Sequence, residues 1–195
     1  AFTIAIVNVV SSTIAREADG VLYTWAGPEI SVATTKAYSA QLSALYLISV
    51  KIARVRGLIS IGDERALCAE LQRLPECIEQ TLKCQSDMQR IATLYANRSS
   101  VFFLGRGLDY AAALEASLKL KEISYIHSEA YAAGELKHGT ISLIEEGTLV
   151  VALATQPALF EKTVSNIREV VARGASVVLV TTDDFTGDES VCQHI

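Results

Sequence analysis

Three charged side chains, Glu115, Lys119 and Glu122, follow one another at spacings of four and three residues. On a helix this spacing puts all three on one face, each within reach of the next. A carboxylate beside an ammonium can move a proton next to a carbonyl, provided that both look into a cleft. The same spacing also describes an ordinary surface pair worth only about 0.2–0.5 kcal/mol. Leu114, Leu118, Leu120 and Ile123 occupy the other sides of the segment. So much apolar circumference directs the charged face to a polar cleft or to water. Spacing alone does not choose between a base and a surface pair.

Other residues offer chemistry of their own. His127 and His138 lie too far apart for a helical metal pair or an H-E-x-x-H motif. Either reads first as a satisfied structural histidine. His138, set between Lys137 and Gly139, fits an exposed loop and is the better proton carrier. Gly105-Arg106-Gly107 is followed by Tyr110 where G-x-G-x-x-G needs its third glycine, so a tight strand-to-helix turn is expected and not a dinucleotide site. Thr34 and Thr35 stand where a helix starts, and their hydroxyls can hold an anion or a sugar, or cap the helix.

The elements that must position these residues alternate. Strands are expected at Phe2 to Val10, Gly20 to Trp25, Ser100 to Leu104, Gly147 to Thr155 and Ala175 to Thr182, the first being almost uninterruptedly apolar. Helices are expected from Thr34 or Thr35 to Arg56, ending at Gly57, from Asp109 to Tyr125, and from Ala158 to Arg173. Asp63 to Asn97 is charged and amphipathic and reads as a helical connector broken at Pro75. Such alternation implies an α/β protein, a parallel sheet between helical layers, with sites beyond the carboxyl ends of the strands, near Ser11-Ser12, Gly27 to Thr35 and Gly105 to Gly107.

Bulk properties narrow the class. With 195 residues, half of them hydrophobic and a fifth charged, the chain suits one good domain or two small ones. A net charge of −5 favours neither nucleic acid nor an anionic membrane as partner. Cys68, Cys77, Cys84 and Cys192 match no zinc or C-x-x-C spacing and read as buried or idle thiols of a reduced cytosol. The longest apolar run, Leu42 to Val50, is far short of the roughly 20 residues that cross a bilayer. The opening is already a strand, with no basic segment before an apolar stretch, so no signal peptide is expected. Val191 to Ile195 looks like a strand being entered, and a fragment of a longer protein is expected.

Gly27-Pro28-Glu29-Ile30-Ser31-Val32-Ala33-Thr34-Thr35-Lys36-Ala37-Tyr38 resembles the segment G-P-E-I-x-V-A-S-T-K-A-Y of the glucosamine-6-phosphate synthase family. The run from Leu118 to Tyr131, continued by Gly134-Glu135-Leu136-Lys137-His138-Gly139, is similar to that family's longest motif. Asn8 to Ser12, Arg16 to Asp19 and Leu104 to Gly107 also fit. The likeness covers essentially the whole chain, in order. It implies two sugar-isomerase (SIS) domains, each an αβα sandwich: the end of the first over residues 1–59, a helical connector over 60–91, and most of the second over 92–195. The family's enzymes, glutamine–fructose-6-phosphate transaminases (isomerizing), turn fructose 6-phosphate and glutamine-derived ammonia into glucosamine 6-phosphate in the cytoplasm. The resemblance further implies that Glu122 is the base between C1 and C2 and that Lys119 accompanies it. His138 would open the sugar ring in the partner subunit of a homodimer, and Val32, by its backbone, and Thr34 would touch the sugar. No metal or organic cofactor is implied.

Departures from the family pattern limit what this sequence should do alone. Thr34 replaces the usual serine and keeps a hydroxyl, whereas Thr140 replaces a proline, which is expected to loosen the loop of His138. The family's phosphate loop, its C-terminal lysine and its glutaminase domain have no counterpart here, so turnover by the fragment is not expected. A fructosamine-6-phosphate deglycase and a non-catalytic SIS module that senses sugar phosphates are the alternatives. The run from Leu118 to His127, with Glu135 to Gly139, favours the aminotransferase over both.

Overall fold

The computed structural model describes residues 1–182, so the expected strand at Val191 to Ile195 and Cys192 lie outside the described residues. The chain divides into two compact units, the first Ala1–Gln85 and the second starting at Ser86.

In the first unit, strand β1 (Ile4–Val7) pairs in parallel with β2 (Gly20–Tyr23), in register from Ile4 opposite Gly20 to Val7 opposite Tyr23. Between them lies a helix that the sequence reading missed, α1 (Thr13–Glu17), whose first turn is capped by the Ser12 hydroxyl accepting from the Ala15 N–H. Ser12 is therefore spent on structure. Helix α2 (Lys36–Val55) ends as expected at Gly57, whose φ of +68° suits the left-handed cap residue. There the Gly57 N–H donates to the Arg54 carbonyl and the Leu58 N–H to the Ala53 carbonyl, which satisfies two orphan carbonyls of the last turn.

Helix α3 (Ile61–Thr81) opens on a reciprocal cap: the Asp63 N–H donates to the Ser60 hydroxyl, and the Ser60 N–H donates to the Asp63 carboxylate. The expected break at Pro75 does not occur, because α3 runs through it. Proline removes one helical hydrogen bond and crowds the carbonyl four residues back. None of the residues of α3 is buried, so water can reach a carbonyl freed in this way. The interruption comes later, in a tight turn at Leu82–Cys84, before α4 (Gln85–Tyr95). Cys68, Cys77 and Cys84 are free thiols; Cys77 and Cys84 are exposed, so of the two readings, buried or idle, burial does not apply to them.

Among the described residues the second unit holds a four-stranded sheet, every neighbouring pair parallel. Its strands are β3 (Ser100–Gly105), β4 (His127–Ala132), β5 (Leu149–Ala154) and β6 (Ser176–Thr181), in the order β4-β3-β5-β6. Helix α5 (Leu108–Ser124) connects β3 to β4, and α6 (Phe160–Val171) connects β5 to β6. Alternate residues of each strand feed opposite faces. Phe102, Leu104, Val150, Ala152, Val177 and Leu179 pack with Ile167 and Val170 of α6. Val101, Phe103, Leu149 and Val178 pack with Ile91 and Tyr95 of α4 and Ala113 of α5. The result is the expected α/β architecture, a parallel sheet between two helical layers. Among the described residues no helix is long and apolar enough to cross a membrane.

Candidate active site

Helix α5 grows out of the Gly105-Arg106-Gly107 turn, and the turn needs its glycines. A Cβ on Gly105 would stand 2.4 Å from the backbone carbon of Asp109, and Gly107 takes a φ of +56°. Both facts fit the strand-to-helix turn read from the sequence. Asp109, itself buried, accepts from the Thr155 N–H at 2.9 Å and the Thr155 hydroxyl at 2.6 Å, which ties the start of α5 to the end of β5. Deeper along the helix, the buried Ser117 and Ser128 hydroxyls join α5 to β4 at 3.0 Å. With Ala113 and Leu120 these contacts fix which side of α5 meets the sheet.

At about 100° per residue, Glu115, Lys119 and Glu122 then fall on the side turned away from that sheet. Lys119 Nζ donates to Glu122 Oε2 at 2.6 Å and lies 3.6 Å from Glu115 Oε1. The lysine side chain is 17% exposed, less than Glu115 at 24% or Glu122 at 29%. The hydrogen bond to Glu122 holds the Lys119 ammonium above its ordinary value, and the charges of both carboxylates add to this against some desolvation. Leu114, Leu118 and Ile123, which flank the three, are exposed.

His138 rides on a loop after β4 made of two tight turns, Leu136–His138 and Thr140–Leu143. Buried Leu136 and Ile144 anchor the loop to the face of the sheet that α6 covers. Its backbone also leans on the glycine turn: the Ala133 N–H donates to the Gly105 carbonyl, and a Cβ on Gly134 would stand 2.7 Å from Arg106 Nη2. Arg106 is fixed in turn by Asn166 Oδ1, at 2.8 and 3.1 Å. The imidazole is 65% exposed and lies 3.9 Å from Glu135. Among the described residues the structure brings Lys119 to Glu122 but does not bring His138 to either. His127 opens β4, 3.1 Å from the Ser100 hydroxyl and 3.7 Å from Glu129.

In the first unit, Val32 and Thr34 lie on the segment between β2 and α2. Asn8 at the end of β1 holds the start of that segment, accepting from the Ala26 N–H at 2.8 Å and donating to the Gly27 carbonyl at 2.7 Å. Thr34 donates its hydroxyl to the Glu29 carboxylate and does not cap α2. This hydrogen bond holds the Glu29 carboxyl below its ordinary range. Thr35 occupies the cap position without a side-chain bond. The Val32 side chain is 98% exposed. Sequence reasoning missed Asn8 and Glu29 as the residues that shape this segment. The motif that contains Glu29 was visible, but the partner of its carboxylate was not.

A cavity of about 350 Å³ lies at the opposite, amino-terminal end of the strands of the second unit, lined by Arg98, Ser100, His127, Glu145, Glu146 and Thr148. It involves none of the five candidate site residues.

Comparison with known proteins decides the family. The SIS domain model matches residues 1–51 and 94–190. The chain belongs to the SIS domain family. One match falls in each structural unit, and the part of the chain outside both contains α3. Curated SIS relatives include the glutamine–fructose-6-phosphate aminotransferase [isomerizing] of Caldanaerobacter subterraneus subsp. tengcongensis, 59% identical over 90% of this chain and 29% of its own length. That of Symbiobacterium thermophilum is 56% identical over 98% of this chain and 31% of its own. The chain thus spans less than a third of the curated relatives it matches. Among solved structures, the C-terminal domain of glucosamine-fructose-6-phosphate aminotransferase from Francisella tularensis has a TM-score of 0.93 and is 37% identical, covering 98% of this chain and 55% of that one.

Proposed function

We propose that this chain is part of the isomerase half of a glutamine–fructose-6-phosphate aminotransferase, which makes glucosamine 6-phosphate from fructose 6-phosphate and glutamine-derived ammonia. The observation that carries the reading is the Lys119–Glu122 contact at 2.6 Å, on the outward side of α5, in a chain with relatives of that name. Ammonia replaces the C2 carbonyl oxygen of the open ketose as an imine, with loss of water. Glu122 then removes the proton from C1, and the electrons of the C–H bond form the C1–C2 double bond of an enaminol. The proton returns to C2 while the O1 proton passes to the C2 nitrogen, which gives the 2-amino aldose and balances the reaction without an oxidant.

Lys119 supplies the positive charge beside the carboxylate. His138 opens the sugar ring in the partner subunit of a homodimer, which suits an exposed imidazole that lies 3.9 Å from Glu135. Val32 meets the sugar through its backbone and Thr34 through its hydroxyl. A glutaminase domain supplies ammonia in the longer protein, which works in the cytoplasm. The test is product analysis with that longer protein. Fructose 6-phosphate and glutamine should yield glucosamine 6-phosphate. Failure to make it, with glucose 6-phosphate released from fructosamine 6-phosphate instead, would replace the reading with a deglycase.

A further inference from the structure

Lys119 has two anions against it, and the proton shift uses one. Glu115 lies one helical turn before it at 3.6 Å and Glu122 one turn after it at 2.6 Å. Side chains on a helix lean toward its N-terminus, and a glutamate four residues before a lysine is the better-oriented partner. The ammonium nevertheless makes its close hydrogen bond in the other direction, to Glu122. It therefore sits between a preferred helical partner and a nearer one, with little exposure to water as a third choice.

We propose that Glu115 is a positioning residue for the proton shift. It is the counter-ion that keeps the Lys119 ammonium charged and in place while Glu122 carries the substrate's proton. The inference rests on Glu122 being the base. When Glu122 takes the proton from C1 it becomes a neutral carboxylic acid, and its attraction for the ammonium falls. Without a second carboxylate, Lys119 would then face the enaminol with no fixed counter-ion. With Glu115 in place, the ammonium keeps one anion through both halves of the shift.

The charges that bear on Lys119 are those of Glu122 and Glu115, both on α5. Helix α5 packs on β3, β4 and β5. Of their titratable side chains, those of β4 meet one another instead: Tyr131 donates to Glu129, and His127 lies 3.7 Å from Glu129.

The experiment is the pH dependence of isomerisation by the full-length protein as wild type, E115Q and E115D. E115Q should lower kcat about tenfold with KM within about twofold of wild type, the mark of an interaction made in the transition state. The alkaline limb of kcat should move to lower pH, because losing an anion weakens the hold on the Lys119 proton. E115D keeps the charge and should restore most of the rate and the limb. If E115Q does not fold, E115A carries the same expectations. An alkaline limb that coincides with wild type overturns the role of Glu115, as does E115D impaired as deeply as E115Q. A wild type that interconverts no ketose and aldose overturns the functional reading first, and this one with it.

Discussion

Lys119 and Glu122 were adjacent in the sequence pattern and are adjacent in space, because helical spacing alone brings them together. Thr34 is the opposite case. Its hydroxyl had two readings, helix cap or ligand contact, and the structure shows a third use, donation to Glu29. That bond keeps the hydroxyl oriented and Glu29 ionised, and it leaves the lone pairs of the oxygen able to accept from a sugar hydroxyl. Thr34→Val in the full-length protein should therefore raise KM for fructose 6-phosphate about tenfold, the upper end for one neutral hydrogen bond, with a smaller change in kcat. Thr34→Ser should stay near wild type. A KM untouched by the valine would remove Thr34 from the sugar site.

Helix α5 holds the triad where it does because its other side is committed. Asp109, Ala113 and Ser117 recur at every fourth position and are buried, which leaves Glu115, Lys119 and Glu122 facing out. The seat of the helix is Gly105, where a side chain would collide with the Asp109 backbone. Gly105→Ala should destabilise the protein by about 3 kcal/mol, the upper range for overpacking, in denaturant unfolding. A loss under about 1 kcal/mol would mean that the turn has slack.

The strands buried on both faces, such as Ser100–Gly105 and Ser176–Thr181, were legible because burial on two sides demands unbroken apolar runs. Strand β4, His-Ser-Glu-Ala-Tyr-Ala, was not, since Ser128 alone of its six residues is fully buried and the strand gains its place by backbone pairing with β3. Helix α1 was too short to show a period, and Pro75 misled because an exposed helix tolerates what a buried one would not. In the candidate site the local pair was readable. The anchoring of the His138 loop by Arg106, Leu136 and Ile144 was not, because its contacts join positions far apart in the chain.

At the scale of the molecule, the chain covers less than a third of the relatives named for the reaction, so on the proposed reading it holds parts of a site. His138 is exposed, pairs with Glu135 and, among the described residues, is not brought to Glu122, so the account assigns it to a partner subunit. Mixed dimers of Glu122→Gln and His138→Ala full-length subunits, each inactive alone, should then recover up to about a quarter of wild-type activity per dimer population, because one intact site is rebuilt in half of the dimers. Verified heterodimers without activity would contradict the shared site.

The central claim is that the Glu122 carboxylate moves the proton between C1 and C2. Its most direct measurement pairs two assays on the full-length Glu122→Gln protein, glucosamine 6-phosphate formation and glutamine hydrolysis. The account predicts a loss of synthesis of about a thousandfold or more, within the range for removing a general base, while glutamine hydrolysis stays near wild type. Synthesis at the wild-type rate would contradict it.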